Sequence, residues 1–296
     1  MRSLILCSSS RKTDEAYAGD LTGEVRMKKL GLISGSGELP SAIAYEARRK
    51  GYTVFAIGLE PLADKDLASF ADEIKWINVG KLGKVIDALK KSGITEVVMA
   101  GKVPKSLLYK SRIRPDLRAV KLLLTLKNRS DDSILLAIAD ELQKEGITLL
   151  NTTDFSSGLM TPEGVLTDKP PSKSEWKDII FGWKIAKEIG RLDIGQTVVV
   201  KDQAVMAIEA IEGTDEAIKR GGELAGRGAV VIKTSKPRQD MRFDVPVVGS
   251  DTLSAMIKVK ARLLAVESGK SIIINREEMI KEADRAGISI VGYTAT

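Results

Sequence analysis

The polar segment from residue 233 to 246 has the highest density of side chains that could do chemistry. Two carboxylates, Asp240 and Asp244, stand four residues apart in it, accompanied by Lys233, Lys236, Gln239 and Arg242. An exposed loop gains little stability from such compact charge pairing, so we predict a functional role for the segment. Carboxylates beside cations are suited to holding a divalent ion, positioning a water molecule and neutralising a phosphate-bearing ligand.

The absence of histidine restricts this chemistry. The sequence contains none, which excludes a Ser-His-Asp triad, a Cys-His dyad, a histidine general base and histidine-ligated zinc. Its single cysteine, Cys7, excludes an intramolecular disulfide and a cysteine-cluster metal site, which suits a reducing cytosol. Acid–base and metal chemistry therefore falls to carboxylates, lysine, tyrosine, hydroxyl and backbone groups.

A glycine loop, Gly35-Ser36-Gly37, follows the first apolar strand and precedes a helix. Backbone amides in such a loop can approach a phosphate, and the positive end of the helix points to the same place. Glu60 follows the second strand, where a ribose-binding carboxylate would lie, but Pro40 and the spacing depart from the dinucleotide fingerprint G-x-G-x-x-G. A nucleoside diphosphate or another phosphate is the favoured ligand; a nicotinamide dinucleotide and a purely structural turn are the alternatives.

Two further groups lie where predicted strands end or helices begin. Lys102 follows a strand in a second glycine loop, where it would reach a phosphate or be solvated. Asp131 and Asp132 open a helix, as its cap or as ligands. Thr214-Asp215 also begins a helix, with Thr214 expected as a plain N-cap or as part of an anion site.

The elements that must position these residues begin at Lys28, where apolar strands alternate with amphipathic helices. The pattern predicts strands at 30–34, 53–58, 74–79, 96–100 and 147–151, and helices at 38–50, 81–92, 115–127 and 131–146. We therefore predict an N-terminal doubly wound, Rossmann-like domain with a parallel sheet over residues 27–157. Ligands are expected beyond the carboxyl ends of its strands.

A cluster of prolines and glycines predicts a linker over residues 158–173. A C-terminal mixed α/β domain is expected over 174–296, with a ligand cleft between the two domains. Its predicted elements are a helix at 174–190, strands at 196–200, 204–208 and 229–233, a helix at 251–267, and a strand, helix and strand between 271 and 292. Residues 1–26 are interpreted as a loosely ordered tail or a leader before a natural start at Met27.

Composition places the chain among globular proteins. Its 296 residues are 43% hydrophobic and 29% charged, which are ordinary fractions. The net charge of +6 favours phosphate-bearing ligands or an anionic surface, whereas aromatic residues at 4% argue against nucleic-acid binding by stacking. No apolar run approaches the ~18 residues of a membrane span, so we expect a cytoplasmic protein whose membrane contact, if any, is peripheral.

Four ordered motifs resemble a known family. They are the stretches 31–40 (GLISGSGELP), 188–196 (EIGRLDIGQ) and 212–215 (EGTD), and the pattern KxxKPxQDxRxDxPxxG over 233–249. Together they resemble the histidine-free LpxI-type UDP-2,3-diacylglucosamine pyrophosphatases of lipid A biosynthesis, over essentially all of residues 27–296.

The resemblance implies hydrolysis, with Mg²⁺ or Mn²⁺, of a UDP-linked acylated glucosamine to UMP and 2,3-diacylglucosamine 1-phosphate. It makes Asp244 the essential carboxylate, which supports the metal or the attacking water. Asp240 departs from the family pattern, in which some relatives have Glu, and we expect it to act as a second catalytic carboxylate. The expected substrate contacts are Gly35, Ser36, Gly37, Leu39, Pro40, Lys102, Asp131, Asp132, Thr214, Asp215, Lys233, Lys236, Gln239 and Arg242.

Two other classes of protein remain as alternatives. A nicotinamide-dependent oxidoreductase would use the first glycine loop, and a non-catalytic nucleotide-sugar or lipid-binding protein would keep the cleft. The second has no use for the crowded carboxylates of the 240–244 segment. Transient contact with the inner membrane surface and homo-oligomerisation are further hypotheses, and no nucleic-acid partner is expected.

Overall fold

The computed structural model describes residues 28–103, 115–126, 131–237, 240, 242 and 245–295, with the backbone alone at 131 and 132. Its first sheet has five parallel strands in the order β3-β2-β1-β4-β5. They are β1 (Lys29–Ser34), β2 (Thr53–Glu60), β3 (Glu73–Asn78), β4 (Glu96–Ala100) and β5 (Thr148–Leu149). The strand order reverses between β1 and β4, so the loops after these two strands flank the crevice where such sheets bind ligands.

Helices cover both faces of this sheet. They are α1 (Leu39–Arg49), α2 (Leu82–Lys91), α3 (Leu117–Thr125) and α4 (Asp131–Lys144). Apolar side chains of α1 fill the core on one face, and those of α2 and α4 fill the core on the other. The predicted N-terminal parallel-sheet α/β domain is confirmed.

The second sheet has six strands in the order β6-β13-β11-β9-β7-β8. The three central strands β9, β11 and β13 are parallel, and the others pair antiparallel, so the predicted mixed sheet is also confirmed. The strands are β6 (Gly164–Val165), β7 (Thr197–Lys201), β8 (Ala204–Ile208), β9 (Val230–Lys233), β11 (Leu263–Glu267) and β13 (Ser289–Tyr293). A separate parallel pair joins β10 (Val247–Val248) to β12 (Ile272–Ile273).

Four helices enclose the second sheet. They are α5 (Lys173–Arg191), α6 (Thr214–Ala225), α7 (Ser250–Lys258) and α8 (Arg276–Ala286). α5 packs on one face, and α6, α7 and α8 supply the core on the other. A capping box at Ser172 and Glu175 fixes the start of α5.

The predicted helix over 251–267 is wrong in its second half. α7 ends at Lys258, Lys260 has a φ of 55°, and residues 263–267 form β11 instead. All five residues of β11 are buried between β9 and β13. A strand covered on both faces reads as a continuous apolar run without alternation, and such a run after an amphipathic helix looks like its continuation.

The two α/β units meet where α1 begins. Leu39 packs against the cluster of Val245, Ile272 and Ile274, and the Ser250 hydroxyl donates a hydrogen bond of 2.8 Å to the Glu38 carboxylate. The start of α1 is therefore held against the start of α7 and against the β10–β12 pair.

β6 lies inside the predicted linker and pairs with β13. The domain boundaries stay predictions, and the predicted 1–26 extension lies outside the described residues. Within the described ranges, no helix is both long and apolar enough to cross a membrane.

Candidate functional site

The two glycine loops of the N-terminal sheet pair with each other. Ser36 and Lys102 exchange backbone hydrogen bonds of 3.0 and 2.8 Å in an antiparallel bridge, and the Ser36 hydroxyl donates to the same Lys102 carbonyl. The Gly35 amide donates to the Ala100 carbonyl at 2.8 Å. The loop after β1 and the loop after β4 thus form one surface, with the exposed Lys102 on it.

Glycine is required where these loops touch. A Cβ atom on Gly35 would lie 2.5 Å from the Lys102 carbonyl oxygen, and one on Gly101 would lie 2.8 Å from the Ser36 carbonyl oxygen. Gly101 also has a φ of 89°, which disfavours a side chain independently.

The amides of this loop already have partners within the protein. In addition to Gly35 and Ser36, the Gly37 amide donates to the Asp64 carboxylate at 2.9 Å. A phosphate bound here by these amides would have to displace those acceptors. The Gly35–Gly37 loop therefore acts in this structure mainly as the joint between β1, β4 and α1.

A buried hydrogen-bond chain links three elements of the C-terminal unit. The Lys233 ammonium, at the end of β9 in a residue only 5% exposed, donates to the Thr214 hydroxyl at 3.0 Å and to the Val247 carbonyl at 2.8 Å. The Thr214 hydroxyl donates onward to Glu209 at 2.9 Å. Because Leu39 and Val247 pack against the same cluster of Val245, Ile272 and Ile274, residues of both units meet around β10.

Thr214 does not cap α6. The N-cap is Gly213, which has a φ of 89°, and Thr214 is the first helical residue. Its hydroxyl is held instead by Lys233 and Glu209. The neighbouring Asp215 accepts a hydrogen bond of 3.2 Å from Thr252 and so joins α6 to α7.

Asp240 and Arg242 form a bidentate ion pair. The guanidinium donates to the two carboxylate oxygens at 3.0 and 2.6 Å, and these hydrogen bonds lower the pKa of Asp240 below its usual value and raise that of Arg242. The Thr152 hydroxyl reaches the Arg242 and Met99 carbonyls, each at 3.1 Å. Since Met99 lies in β4, this pair sits beside the carboxyl edge of the first sheet, near the loop of Lys102.

The remaining candidates are placed apart from these clusters or lie beyond what the structure describes. Lys236 pairs with Asp193, just after α5, at 2.6 Å, and Pro40 is buried in the first turn of α1. Asp131 and Asp132 are the first residues of α4, and nothing is described of their side chains. Gln239 and Asp244, the residue assigned to the metal by resemblance, lie outside the described residues.

One charged cluster beside this site was not predicted from the sequence. The Glu267 carboxylate, 5% exposed at the end of β11, accepts hydrogen bonds from Lys187 of α5 and from the Ser235 amide and hydroxyl, the latter two at 2.7 Å. Burial opposes ionisation of Glu267, but the Lys187 and Ser235 hydrogen bonds outweigh it and lower its pKa. The cluster fixes the chain directly after Lys233, and it was missed because Glu267 was assigned to a helix.

The described side chains do not by themselves make a metal centre. Across the described ranges, no three acidic or cysteine residues converge as ligands, and both oxygens of Asp240 accept hydrogen bonds from Arg242. The described residues thus do not fit a complete divalent-ion site.

Grooves open on the helical surfaces of both units. One of about 640 Å³ lies between α6 and α7, and one of about 530 Å³ lies between α3 and α4. Among the predicted site residues whose side chains the structure describes, Asp215 is the one that lines either of these two grooves.

Fold and site together define a two-domain α/β protein whose polar and charged residues gather where the carboxyl edge of a parallel sheet meets a second domain. Residues 29–159 match the LpxI N-terminal domain, and residues 162–291 match the LpxI C-terminal domain. The chain therefore belongs to the LpxI family, as its four motifs predicted.

Individual curated relatives match different fractions of the chain. The UDP-2,3-diacylglucosamine pyrophosphatase LpxI of Caulobacter vibrioides is 33% identical over 279 residues, which cover 90% of this chain and 98% of that protein. The bifunctional purine biosynthesis protein PurH of Anaeromyxobacter sp. is 28% identical over 127 residues, covering 43% of this chain and 22% of that protein.

Two solved structures match part of the chain weakly. The Bordetella bronchiseptica enzyme WbmG in complex with NAD has a TM-score of 0.28 at 16% identity, covering 43% of this chain and 37% of that one. A UDP-glucose-4-epimerase of Stenotrophomonas maltophila has the same TM-score at 13% identity, covering 41% and 34%. Scores at this level carry no argument about fold or ligand.

Proposed function

We propose that this protein hydrolyses the pyrophosphate bond of UDP-2,3-diacylglucosamine in lipid A biosynthesis. The observation that carries the proposal is family membership across both domains, with a pyrophosphatase of that substrate as a relative matched along 98% of its length. Water adds to the sugar-side phosphorus, the bond from that phosphorus to the bridging oxygen breaks, and the products are UMP and 2,3-diacylglucosamine 1-phosphate.

The chemistry of the site supports this proposal. Pyrophosphate cleavage depends on neutralising charge and placing a water molecule more than on a covalent nucleophile. Lys102 and Arg242 lie at the carboxyl edge of the first sheet, and Lys233 is fixed where the two domains meet. In the proposed complex, Lys102 and Arg242 face the diphosphate, whereas the buried Lys233 positions the start of α6.

Dependence on Mg²⁺ or Mn²⁺ is part of the proposal. A divalent ion would supply charge neutralisation and a more acidic bound water, and Asp244 is the residue proposed to hold it. The described residues form no metal cluster of their own. The protein is proposed to act in the cytoplasm at the inner membrane surface, and homo-oligomerisation stays a prediction for sedimentation analysis.

The decisive experiment follows UMP release from purified UDP-2,3-diacylglucosamine. The full chain is incubated with Mg²⁺, with Mn²⁺ and with a chelator, beside Asp244→Ala and the control Asp87→Ala, which changes an exposed residue of α2. We expect metal-dependent release that is lost in Asp244→Ala and kept in Asp87→Ala.

Three outcomes would contradict parts of the proposal. UMP release that persists in chelator would contradict the proposed metal dependence. Substantial UMP release by Asp244→Ala would contradict the proposed role of that carboxylate. Binding of the substrate without release under any metal would instead support a non-catalytic nucleotide-sugar or lipid-binding protein.

A further inference from the structure

Helix α3 exposes an apolar face to solvent. Leu117 and Leu124 are each 81% exposed and Val120 is 38% exposed, whereas Leu122 on the opposite side is buried. Spacing of three and seven residues puts the three exposed side chains on one face of the helix. Isolated apolar residues on a surface need no explanation, but a row along one helix indicates a contact.

The stretch of sequence that contains α3 is strongly basic. Lys121 is exposed and lies four residues from Leu117, on the same face. From residue 101 to 130 the chain contains nine lysines and arginines and a single acidic residue, Asp116. The Asp116 carboxylate caps α3 by accepting from the Ala119 amide at 2.9 Å. An apolar face within basic sequence is the pattern of a helix that lies on an anionic lipid surface.

We propose that the face of α3 formed by Leu117, Val120, Lys121 and Leu124 docks this protein on an anionic membrane surface. The apolar side chains enter the boundary between headgroups and acyl chains, and Lys121 pairs with anionic headgroups. The nine-residue helix alone supplies little buried area, so the contact is weak and reversible.

The docking face adjoins the candidate site. A groove between α3 and α4 is lined by Leu117, Lys121 and, across from them, Asp140. Asp240 is the main cause of the raised pKa of Arg242, and the charge of Asp140 adds to it, which puts α4 close to the Asp240–Arg242 pair. A membrane under α3 would therefore lie beside the edge where the proposed substrate binds.

Charge favours a membrane over a second copy of the chain as the occupant. A two-fold interface through this face of α3 would bring Lys121 of one protomer towards Lys121 of its partner. Like charges at short range repel, whereas phosphatidylglycerol headgroups attract them.

Vesicle co-sedimentation of the full-length protein tests the proposal. We expect binding to phosphatidylglycerol–phosphatidylcholine vesicles, little binding to pure phosphatidylcholine, and weaker binding in high salt. Leu117→Gln/Leu124→Gln and, separately, Lys121→Glu should each weaken partitioning by about ten-fold or more. Matched controls on other exposed positions, Ile211→Gln/Leu224→Gln and Lys281→Glu, should bind like the original chain.

The outcomes distinguish this inference from the proposed function. The inference rests on the proposed function only for the purpose that membrane docking would serve. Binding that is equal in the α3 variants and the controls, or absent from anionic vesicles, overturns the docking surface. Sedimentation velocity that shows a dimer lost in the α3 variants overturns it in favour of a second copy. UMP release from substrate in detergent micelles should be unchanged in the α3 variants, and its absence in every protein would count against the pyrophosphatase, not against vesicle binding.

Discussion

A lysine buried to the extent of Lys233 must replace its lost water with acceptors in the protein. The Thr214 hydroxyl and the Val247 carbonyl supply two of them, and Thr214 passes the connection to Glu209. The ammonium group thereby fastens α6 and β10 to the end of β9. Lys233 therefore contributes mainly to the stability of the fold.

Lys233→Met tests this role. Methionine has a side chain of similar length but no hydrogen-bond donor. Because the buried acceptors then lose their hydrogen bonds from the ammonium group, the free energy of unfolding should fall by about 1–3 kcal/mol. Urea denaturation measures this, with Lys102→Met as the exposed control, expected to change stability by under about 0.5 kcal/mol. Equal effects at the two positions would contradict the structural role of Lys233.

The Asp240–Arg242 pair is predicted to matter for activity more than for stability. Its side chains are 33% and 36% exposed, and pairs this open contribute little to folding. Asp240→Asn removes the charge that orients Arg242, so kcat/KM for UMP release should fall by roughly ten-fold or more while the thermal midpoint stays within a few degrees. The control is Glu188→Gln, which breaks the exposed pair with Arg191; a similar loss in both variants would remove the special role of Asp240.

At the scale of elements, the paired loops after β1 and β4 depend on close backbone contact. Gly101→Ala combines a φ of 89° with a Cβ 2.8 Å from backbone atoms of Gly35 and Ser36. Gly51→Ala is the matched control, since its φ is 82° and no heavy atom lies within 4 Å of the added Cβ. In both variants, alanine in a left-handed backbone conformation should lower the free energy of unfolding by about 1–2 kcal/mol. Only Gly101→Ala should lower it clearly further, as measured by urea denaturation.

Glu145 joins three helices of the first unit. Hydrogen bonds from Lys90 of α2 and then from Arg118 of α3 lower the pKa of this carboxyl from 4.5 to about 2. A carboxyl with a depressed pKa in the folded state binds fewer protons there than in the unfolded chain. Its contribution is therefore complete above pH 4.5 and is lost as the pH falls towards 2.

Glu145→Gln should remove this part of the acid dependence. The original chain should exceed the variant in urea midpoint at neutral pH, and the difference should shrink between pH 4.5 and 2. Urea titrations at a series of pH values follow the difference. A gap of constant size over that range would show that the carboxylate charge is not its cause.

At the scale of the whole molecule, Leu39 is an apolar contact between the two units. It is the first residue of α1 and packs against the cluster of Val245, Ile272 and Ile274. Leu39→Ala should therefore loosen the junction while leaving both sheets intact. Hydrogen–deuterium exchange should accelerate in residues 245–248 and 272–274 but stay unchanged in β2 and β3, and uniform acceleration in all of these would mean a loss of global stability instead.

Local pattern was sufficient for most elements of the fold. β4 has its predicted bounds of 96–100, and α5 differs from its predicted bounds by one residue at each end. These elements have strong periodicity and clear breakers, so neighbouring sequence contains the necessary information. β11 and the two-residue strands β6 and β10 form through pairing with distant strands, which no local window reports.

The site divides in the same way. Residue types and spacing alone determined that the chemistry uses carboxylates and lysines without histidine, that two α/β units were to be expected, and, through four motifs, the family. Only the tertiary structure decided that Lys233 is buried on Thr214, that the loop amides of Gly35 and Ser36 are already bonded, and that Glu267 meets Lys187. Burial and long-range hydrogen bonds depend on which distant segments pack together, and spacing along the chain does not specify that packing.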